Sequence, residues 1–179
     1  MTLLDDALPH LPRLRRHARL LCGDAARADD LVQDTLERAA RQAAHWTPVG
    51  DPATSLRSWL LTLMHHLYLN QLRALRPHLH EVYDADQHDA GHEPAGLWQT
   101  RLDLERALTQ LTPAAREVLL LVGVEELSYE EAAAVLAVPV GTVMSRLARA
   151  RERLRLLMAE PDRRGRPAAA GAPALRIIR

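Results

Sequence analysis

The segment that most constrains this chain spans residues 128–155, SYEEAAAVLAVPVGTVMSRLARARERLR, and predicts two helices joined by a tight turn. Ser128 is followed three residues later by a glutamate, the spacing of a capping box that satisfies free N–H groups of a first helical turn. Pro139 and Gly141 are predicted to end the first helix, because proline lacks the donor that a continuing helix needs and glycine bends freely. Thr142 is then expected to cap the second helix.

The second helix of this segment has one apolar side and one polar, basic side. Spacings of four and three place five apolar residues on a single buried stripe: Val143, Leu147, Ala150, Leu154 and Leu157. The opposite side carries Thr142, Ser145, Arg146, Arg149 and Arg153. A solvated basic surface helix is the alternative, but the preceding cap and turn favour a helix-turn-helix whose second helix lies in the major groove of DNA.

The composition predicts an all-α protein. Apolar residues make up 47% of the 179 residues, yet aromatic residues make up only 3%, so packing depends on Leu, Val and Ala, which favour helices over sheets. The length suits one domain or two small ones, each with a small core. Cys22 is the only cysteine, which excludes an internal disulfide and a multi-cysteine zinc site.

Charge and hydropathy indicate a cytoplasmic protein. The 23 basic residues, all arginine, balance 23 acidic ones. No apolar run approaches the roughly 20 residues that span a bilayer. The first residues, MTLLDDALPHLPRLRR, place acids before any cation and contain no continuous apolar stretch, so they are not read as a signal peptide.

Charge and composition divide the chain into four segments. Residues 1–77 and 101–158 are predicted to form two small helical domains, the second of which contains the helix-turn-helix. Residues 78–100 lack arginine and apolar periodicity and are predicted to form a flexible acidic linker. Residues 159–179, rich in Pro, Ala, Gly and Arg, are predicted to be a disordered tail.

Three helices are predicted in the first domain. The first ends at Gly23, and Asp24 is expected to cap the second, which runs from about residue 25 to 44. Apolar residues of the second helix face inward, while a separate polar stripe carries Asp30, Gln33, Asp34 and Glu37. A loop with two prolines over 45–54 precedes a third amphipathic helix that begins at Ser55. In the second domain, Thr112 and Pro113 are expected to cap and begin a helix.

These segments, in this order and at this spacing, resemble the extracytoplasmic-function group of bacterial sigma factors over about residues 10–158. The resemblance rests on DDLVQDTLERA, the proline-containing loop, SLRSWLLTLMHHLYLNQLR, the acidic linker and SYEEAA…PVGTVMSRLARARERL. It implies two helical domains, sigma domains two and four, which bring RNA polymerase core enzyme to promoters. It implies no enzymatic activity, cofactor, metal or small-molecule substrate, and it makes an anti-sigma protein an expected partner.

In the first domain, the resemblance assigns the polar stripe to the coiled-coil clamp of the largest polymerase subunit, whose arginines would bind carboxylates. The loop and third helix correspond to the part that opens the −10 promoter element and holds its unpaired strand. Candidate strand contacts there are Arg57, Asn70, Arg73 and Arg76, together with His66, which stands where the family commonly has Asn. Trp59 is interpreted as a core residue rather than a base-stacking platform.

In the second domain, the resemblance assigns the second helix of the motif to the −35 element. Thr142 and Arg149 would contact phosphate or base, Ser145 and Arg146 would face base edges, and Arg153 lies on the same side. Met144 and Ala148 stand where relatives often have longer or polar groups, which predicts a different sequence preference or greater dependence on DNA shape.

For the linker, the resemblance implies a path through the polymerase channel that later carries RNA, although a solvated tether is an equally simple interpretation. Its histidines (His78, His80, His88 and His92) suggest metal binding, which the absence of nearby cysteine disfavours.

Other function classes fit less well. A dimeric repressor or activator with the same motif needs a second apolar stripe for dimerisation, which the sequence lacks. A sigma-like decoy, which would bind a regulator without binding DNA, would not need the arginines on the exposed side of the second helix of the motif. A hydrolase built on the adjacent His65 and His66 lacks a matching set of acid, base and nucleophile, and adjacent positions of a helix point in different directions.

Overall fold

The computed structural model describes residues 3–75 and 100–159, which form eight α-helices and no strand, so the predicted all-α fold is confirmed for these residues. The N-terminal half contains α1 (Leu3–Ala7), α2 (Leu11–Cys22), α3 (Ala25–Gln42) and α4 (Pro52–Leu75), with short 3-10 turns at Leu8–His10 and Ala43–His45. The C-terminal half contains α5 (Thr100–Thr109), α6 (Pro113–Gly123), α7 (Tyr129–Leu136) and α8 (Val140–Ala159). The predicted linker, except residue 100, and the tail, except residue 159, lie outside the described residues, as do the four linker histidines.

Glycine and aspartate separate α2 from α3, as predicted. Gly23 has φ +69°, a left-handed conformation that glycine adopts without steric cost, and its N–H donates to the carbonyl of Arg19 at 2.9 Å. The Asp24 carboxylate then accepts a hydrogen bond from the N–H of Arg27 at 2.8 Å. These contacts end one helix and begin the next within two residues.

The fourth helix begins earlier than the sequence pattern predicts. The expected loop over 45–54 is shorter, because α4 starts at Pro52 rather than at Ser55. The Asp51 carboxylate accepts hydrogen bonds from the N–H and the hydroxyl of Thr54, both at 2.8 Å, and these bonds lower the pKa of Asp51. Proline is favoured at a first helical position, since its missing N–H is not needed there.

The helix-turn-helix forms with two corrections. Helix α7 already ends at Leu136, where Ala137 adopts a left-handed conformation with φ +52°, so Gly141 does not end it and lies instead within α8. Ser128 Oγ accepts from the N–H of Glu131 at 3.1 Å, and the Glu131 carboxylate accepts from the N–H of Ser128 at 2.8 Å, which confirms the capping box. The predicted cap at Thr142 is wrong, because α8 begins at Val140 and the N–H of Thr142 already donates to the carbonyl of Pro139 at 2.9 Å.

Each half buries the apolar faces of its helices. In the N-terminal half, α3 packs against both α2 and α4 around residues such as Leu14, Leu31 and Leu60. In the C-terminal half, α6, α7 and α8 pack on one another, and the N-terminal part of the predicted α8 stripe (Val143, Leu147 and Ala150) is fully buried. Thr112 caps α6, as predicted, by accepting from the N–H of Ala115 at 3.3 Å.

The two halves also pack against each other, where the sequence pattern predicts separate small cores. Helix α2 contacts α5 and α6, and α4 contacts α7, so that one continuous apolar cluster runs through the described residues. Over these same ranges, no single helix has the length and apolar composition to cross a membrane. Helices α7 and α8 meet that test only as a pair, bent by 101°.

Candidate nucleic-acid interface

The polar stripe of α3 is exposed along its whole length. Its four predicted members, Asp30, Gln33, Asp34 and Glu37, all face solvent. Within the stripe, Gln33 donates to Glu37 at 3.2 Å, and Arg41 forms an ion pair with Glu37 at 3.0 Å. The structure thus brings the four residues together on one accessible surface that presents carboxylates beside an amide.

An open groove between α2 and α3 adds basic side chains to this surface. It is lined by Arg15 and Arg19 from α2 and by Asp29, Gln33 and Glu37 from α3, with Val32 and Leu36 at its floor. The α2 arginines were missed in the sequence, because they belong to a helix considered only for its apolar face. A partner helix in this groove would meet both signs of charge.

Two tryptophans pack together at the start of the loop before α4. The rings of Trp46 and Trp59 are tilted by 41° with centroids 6.3 Å apart, and both side chains are partly buried against the core. Trp59 is therefore packed against the core, although it is not fully buried. The loop above them is held by a hydrogen bond from the N–H of Val49 to Ser55 Oγ at 3.0 Å, while the Val49 side chain is 83% exposed.

The predicted −10 contacts on α4 do not all share one face. His66, Asn70 and Arg73 follow one another at spacings of four and three residues, are exposed, and form one stripe in which Arg73 donates to Asn70 at 3.4 Å. Arg57 lies two and a half turns before His66 and therefore points to the opposite side, where it is partly buried near His10. Arg76 lies outside the described residues.

His66 differs from its neighbour in both burial and contacts. Partial burial and the adjacent His65 lower the pKa of His66, which keeps its imidazole neutral near neutral pH. His65 points inward and is 4% exposed, with its Nδ1 2.6 Å from a carboxylate oxygen of Glu117. The two histidines therefore serve separate surfaces, and the geometry gives no support to a shared catalytic site.

The outward face of α8 gathers the residues predicted to read the −35 element. Thr142, Ser145, Arg146, Arg149 and Arg153 lie on one side, opposite the buried stripe that packs on α6 and α7. Short-range hydrogen bonds run along this face, from Ser145 Oγ to the Thr142 carbonyl at 3.1 Å and from Arg149 to the Ser145 carbonyl at 3.4 Å. A rigid scaffold thus presents hydroxyl and guanidinium donors together.

Met144 and Ala148 are exposed but lie on the side of α8 that carries Arg151 and Arg155, so helical periodicity does not group Met144 with the five residues above. Farther along, Arg155 is paired with Glu152 at 2.8 Å. The hydrogen bond between them lowers the pKa of Glu152 and raises that of Arg155. Arg155 therefore belongs to a surface ion pair that lies apart from the outward face of α8.

Comparison with known proteins finds relatives for both halves of the chain. Residues 7–65 match the family model described as the Sigma2 domain of PhyR, and residues 101–154 match the model described as Sigma-70, region 4. The chain is 40% identical over 161 residues to the ECF RNA polymerase sigma factor EcfG of Rhodopseudomonas palustris, covering 88% of this chain and 85% of that protein. It is 35% identical to the ECF sigma factor SigC of Mycobacterium tuberculosis, covering 78% and 74% of the two chains.

Solved structures show the same fold. The sigma factor RpoE from Bartonella quintana, in complex with the anti-sigma factor NepR, superposes with a TM-score of 0.68 at 32% identity over 86% of this chain and 94% of that chain. CnrH, in complex with the cytosolic domain of CnrY, superposes with a TM-score of 0.59 at 28% identity over 87% and 86%. The chain therefore belongs to the extracytoplasmic-function group of RNA polymerase sigma factors, which bind the polymerase core enzyme and direct transcription initiation at particular promoters.

Proposed function

We propose that three exposed surfaces of this sigma factor divide the work of initiation. The α3 stripe binds the arginine-bearing clamp of the polymerase, the exposed stripe of α4 and the loop before it hold the opened −10 strand, and the outward face of α8 reads the −35 element. The chain acts in the cytoplasm, where polymerase and promoter meet, and it has no catalytic role of its own.

The observation that carries this proposal is the outward face of α8. Val143 and Leu147 are almost fully buried, which fixes the rotation of the helix, and Arg149 then faces solvent with its neighbours. Arginine suits the O6 and N7 acceptors of guanine in the major groove, and each well-formed contact of this kind discriminates by about 1–3 kcal/mol. Met144 and Ala148 share a side of α8 with Arg151 and Arg155, and we assign no base contact to them.

The α3 stripe supports a second part of the proposal, since carboxylates that meet arginines form charge-assisted hydrogen bonds across an interface. The adjoining groove gives a partner helix a place to lie, and its arginines, Arg15 and Arg19, would accommodate acidic groups on the same partner.

On α4 we propose that the strand contacts come from His66, Asn70 and Arg73, which share a face, whereas Arg57 supports the helix from its other side. Asn70 and His66 offer both donors and acceptors to an unpaired base, and Arg73 offers a cation to the backbone. Trp46 and Trp59 pack against each other and hold the start of the loop in position.

An anti-sigma protein of the kind found with the Bartonella quintana sigma factor is the proposed inhibitor. Its support is the likeness of this chain to that sigma factor and to the sigma domain of PhyR. Addition of such a protein to a transcription reaction is expected to lower initiation.

The test of the proposal is transcription on genomic DNA fragments with purified core polymerase, followed by mapping of start sites. The double variant Arg146→Ala, Arg149→Ala is expected to lose at least tenfold in initiation while binding core polymerase normally. The matched control is Arg151→Ala, Arg155→Ala, which removes the same charge from a different exposed side of α8 and should keep most of the activity.

A parallel pair of variants tests the clamp surface. Asp30→Asn, Asp34→Asn is expected to weaken binding to core polymerase at least tenfold, whereas Asp5→Asn, Asp6→Asn removes two exposed carboxylates from α1 and should not. Equal loss from both members of either pair would show nonspecific electrostatics and would refute the assigned surface. Wild-type protein that neither binds core polymerase nor initiates would refute the function as a whole.

A further inference from the structure

An apolar groove lies between the N-terminal turns of the chain and α3, directly beside the α3 stripe. One wall carries Leu4, Leu8 and Leu11, whose spacings of four and three residues place them on one side of a helical segment. The other wall carries Leu36 and Ala40, one turn apart on α3. The groove has a volume of about 340 Å³, at the small end of the range of about 300–1,000 Å³ for ligand pockets. It therefore suits a few side chains rather than a whole domain.

Much of this apolar surface reaches solvent. Leu4 is 42% exposed and Leu8 is 61% exposed. Of the seven residues that line the groove, Glu37 is the one that carries a charge. Contiguous exposed apolar surface on a folded protein marks a place where another group binds. The composition of the groove calls for an apolar ligand with a positive charge at its edge.

Residues 174–179, ALRIIR, have the matching composition. They contain three branched apolar residues, Leu175, Ile177 and Ile178, together with two arginines and no acidic residue. The preceding residues 161–173 contain no apolar residue other than alanine and proline. The large apolar side chains of the tail are therefore concentrated in this one segment.

The chain that joins this segment to α8 is long enough to reach the groove. Helix α8 ends at Ala159, and sixteen residue steps lead from there to Leu175. A proline-containing chain extends by about 3.1 Å per residue, so these steps span roughly 50 Å. A compact body of about 130 residues has a radius of gyration of about 14 Å, and therefore a width of about 36 Å. The segment can thus reach most of the protein surface.

We propose that residues 174–179 bind in this groove, with their branched apolar side chains against its walls and an arginine beside Glu37, and that the bound segment competes with the polymerase clamp. The inference rests on the proposed function, because the competition needs the clamp to bind the α3 stripe. The two sites overlap, since Leu36 and Glu37 line both this groove and the open groove between α2 and α3.

The Glu37 carboxylate can accept the incoming arginine. One of its oxygens accepts from Gln33 at 3.2 Å and the other from Arg41 at 3.0 Å, and the Glu37 side chain is 49% exposed. Exposed ion pairs contribute little to stability, so an arginine of the tail can share this carboxylate or replace Arg41 there at small cost. An arginine bound at Glu37 occupies a carboxylate that the clamp arginines need.

A second copy of the chain fits this groove less well than the tail does. A specific interface between folded chains involves about 20–30 residues on each side, whereas seven residues line the groove. A segment of the same chain also acts at a high effective concentration, because the tether keeps it near the groove, and a small contact is then sufficient.

Disulfide trapping tests the docking without polymerase. The variant Ala40→Cys, Ala174→Cys places one thiol in the groove and one in the segment, and it is made with Cys22→Ala to prevent mispairing. The matched control is Ala148→Cys, Ala174→Cys in the same background, since Ala148 is also exposed and lies on α8, to which the tail is joined. A tail that does not dock would meet residue 148 at least as often as residue 40.

Under mild oxidation, the Ala40→Cys variant is expected to form an intramolecular disulfide at least tenfold faster than the control. Equal rates, or a faster control, would overturn the docking. Disulfide-linked dimers in place of the intramolecular bond would assign the groove to a second copy of the chain and would also overturn it.

Binding to core polymerase tests the competition. The variant Leu175→Ser, Ile177→Ser, Ile178→Ser is expected to bind core polymerase at least threefold more tightly than the wild type. The matched control, Ala168→Ser, Ala169→Ser, Ala170→Ser, makes the same number of substitutions in the same tail and should bind as the wild type does.

Leu8→Ser alters the groove instead of the tail at an exposed position, so it should leave the fold intact. It is expected to tighten polymerase binding in the same way, with no further gain when it is combined with the serine substitutions at 175, 177 and 178. Unchanged affinity in the tail variant would overturn the competition. Wild-type protein that does not bind core polymerase would instead refute the proposed function, whereas the disulfide experiment would still decide whether the tail docks.

Discussion

The outward face of α8 and the interface between the two halves are both built from arginines and other polar groups, yet they differ in almost every physical respect. Arg149 on α8 is exposed, whereas Arg116 on α6 is 8% exposed and donates to four carbonyls. The first kind of arginine reaches solvent, and the second organises the protein itself. The comparison teaches that residue type does not distinguish recognition from architecture, but burial does.

The largest expected effect comes from the buried arginine. Arg116→Met leaves four carbonyls without their donor and is expected to lower the free energy of unfolding by about 4 kcal/mol, measured by urea denaturation. Arg151→Met, on the exposed side of α8, should change it by less than about 0.5 kcal/mol. Similar losses of unfolding free energy in the two variants would contradict the distinction between buried and exposed arginines.

The buried pair formed by His65 and Glu117 gives a second test of whether buried polar groups stabilise the fold. His65→Leu leaves the Glu117 carboxylate buried without a partner and is expected to cost about 3 kcal/mol of unfolding free energy. The double variant His65→Leu, Glu117→Leu replaces the pair with apolar groups and should cost at least about 2 kcal/mol less than the sum of the single variants. Additive costs in this double-mutant cycle would show that the two side chains do not interact.

The smallest of these effects is expected at the cap of α7, which is exposed and local. Ser128→Ala removes the acceptor for the N–H of Glu131 and should cost about 1 kcal/mol of unfolding free energy. Glu131→Gln serves as the control, because glutamine also completes a capping box and should cost less. Thermal or urea denaturation of the two variants gives the comparison, and a greater cost for Glu131→Gln would refute this account of the helix start.

Features that depend on neighbours in sequence were predictable. The capping box at Ser128, the cap at Thr112 and the break at Gly23 each follow from contacts within a few residues, and the structure has all three. The apolar stripe of α8 follows from helical periodicity, which also determines which arginines face outward. The errors at the starts of α4 and α8 both arose where proline precedes or begins the helix, and α7 ends before the predicted Pro139 and Gly141 because Ala137 adopts the left-handed conformation.

Features that depend on distant residues were not predictable. His17 and Glu125 are more than a hundred residues apart in sequence, and nothing in either local pattern shows that they meet. One signal was available, since Arg116 and Glu117 come directly before the apolar run of α6 from Val118 to Val122. Charged groups at the edge of such a buried helix require partners, but the sequence does not say which elements supply them. The offset of Arg57 from the α4 stripe could have been found from helical periodicity alone.

The paired tryptophans beneath the loop before α4 have a practical consequence. Trp46 and Trp59 are two of only three tryptophans in the chain, and both sit where the −10 strand is proposed to be captured. Indole emission responds to changes in solvent contact and ring stacking. The unlabelled protein therefore contains its own optical reporter, through which strand capture could be followed in real time by stopped-flow fluorescence.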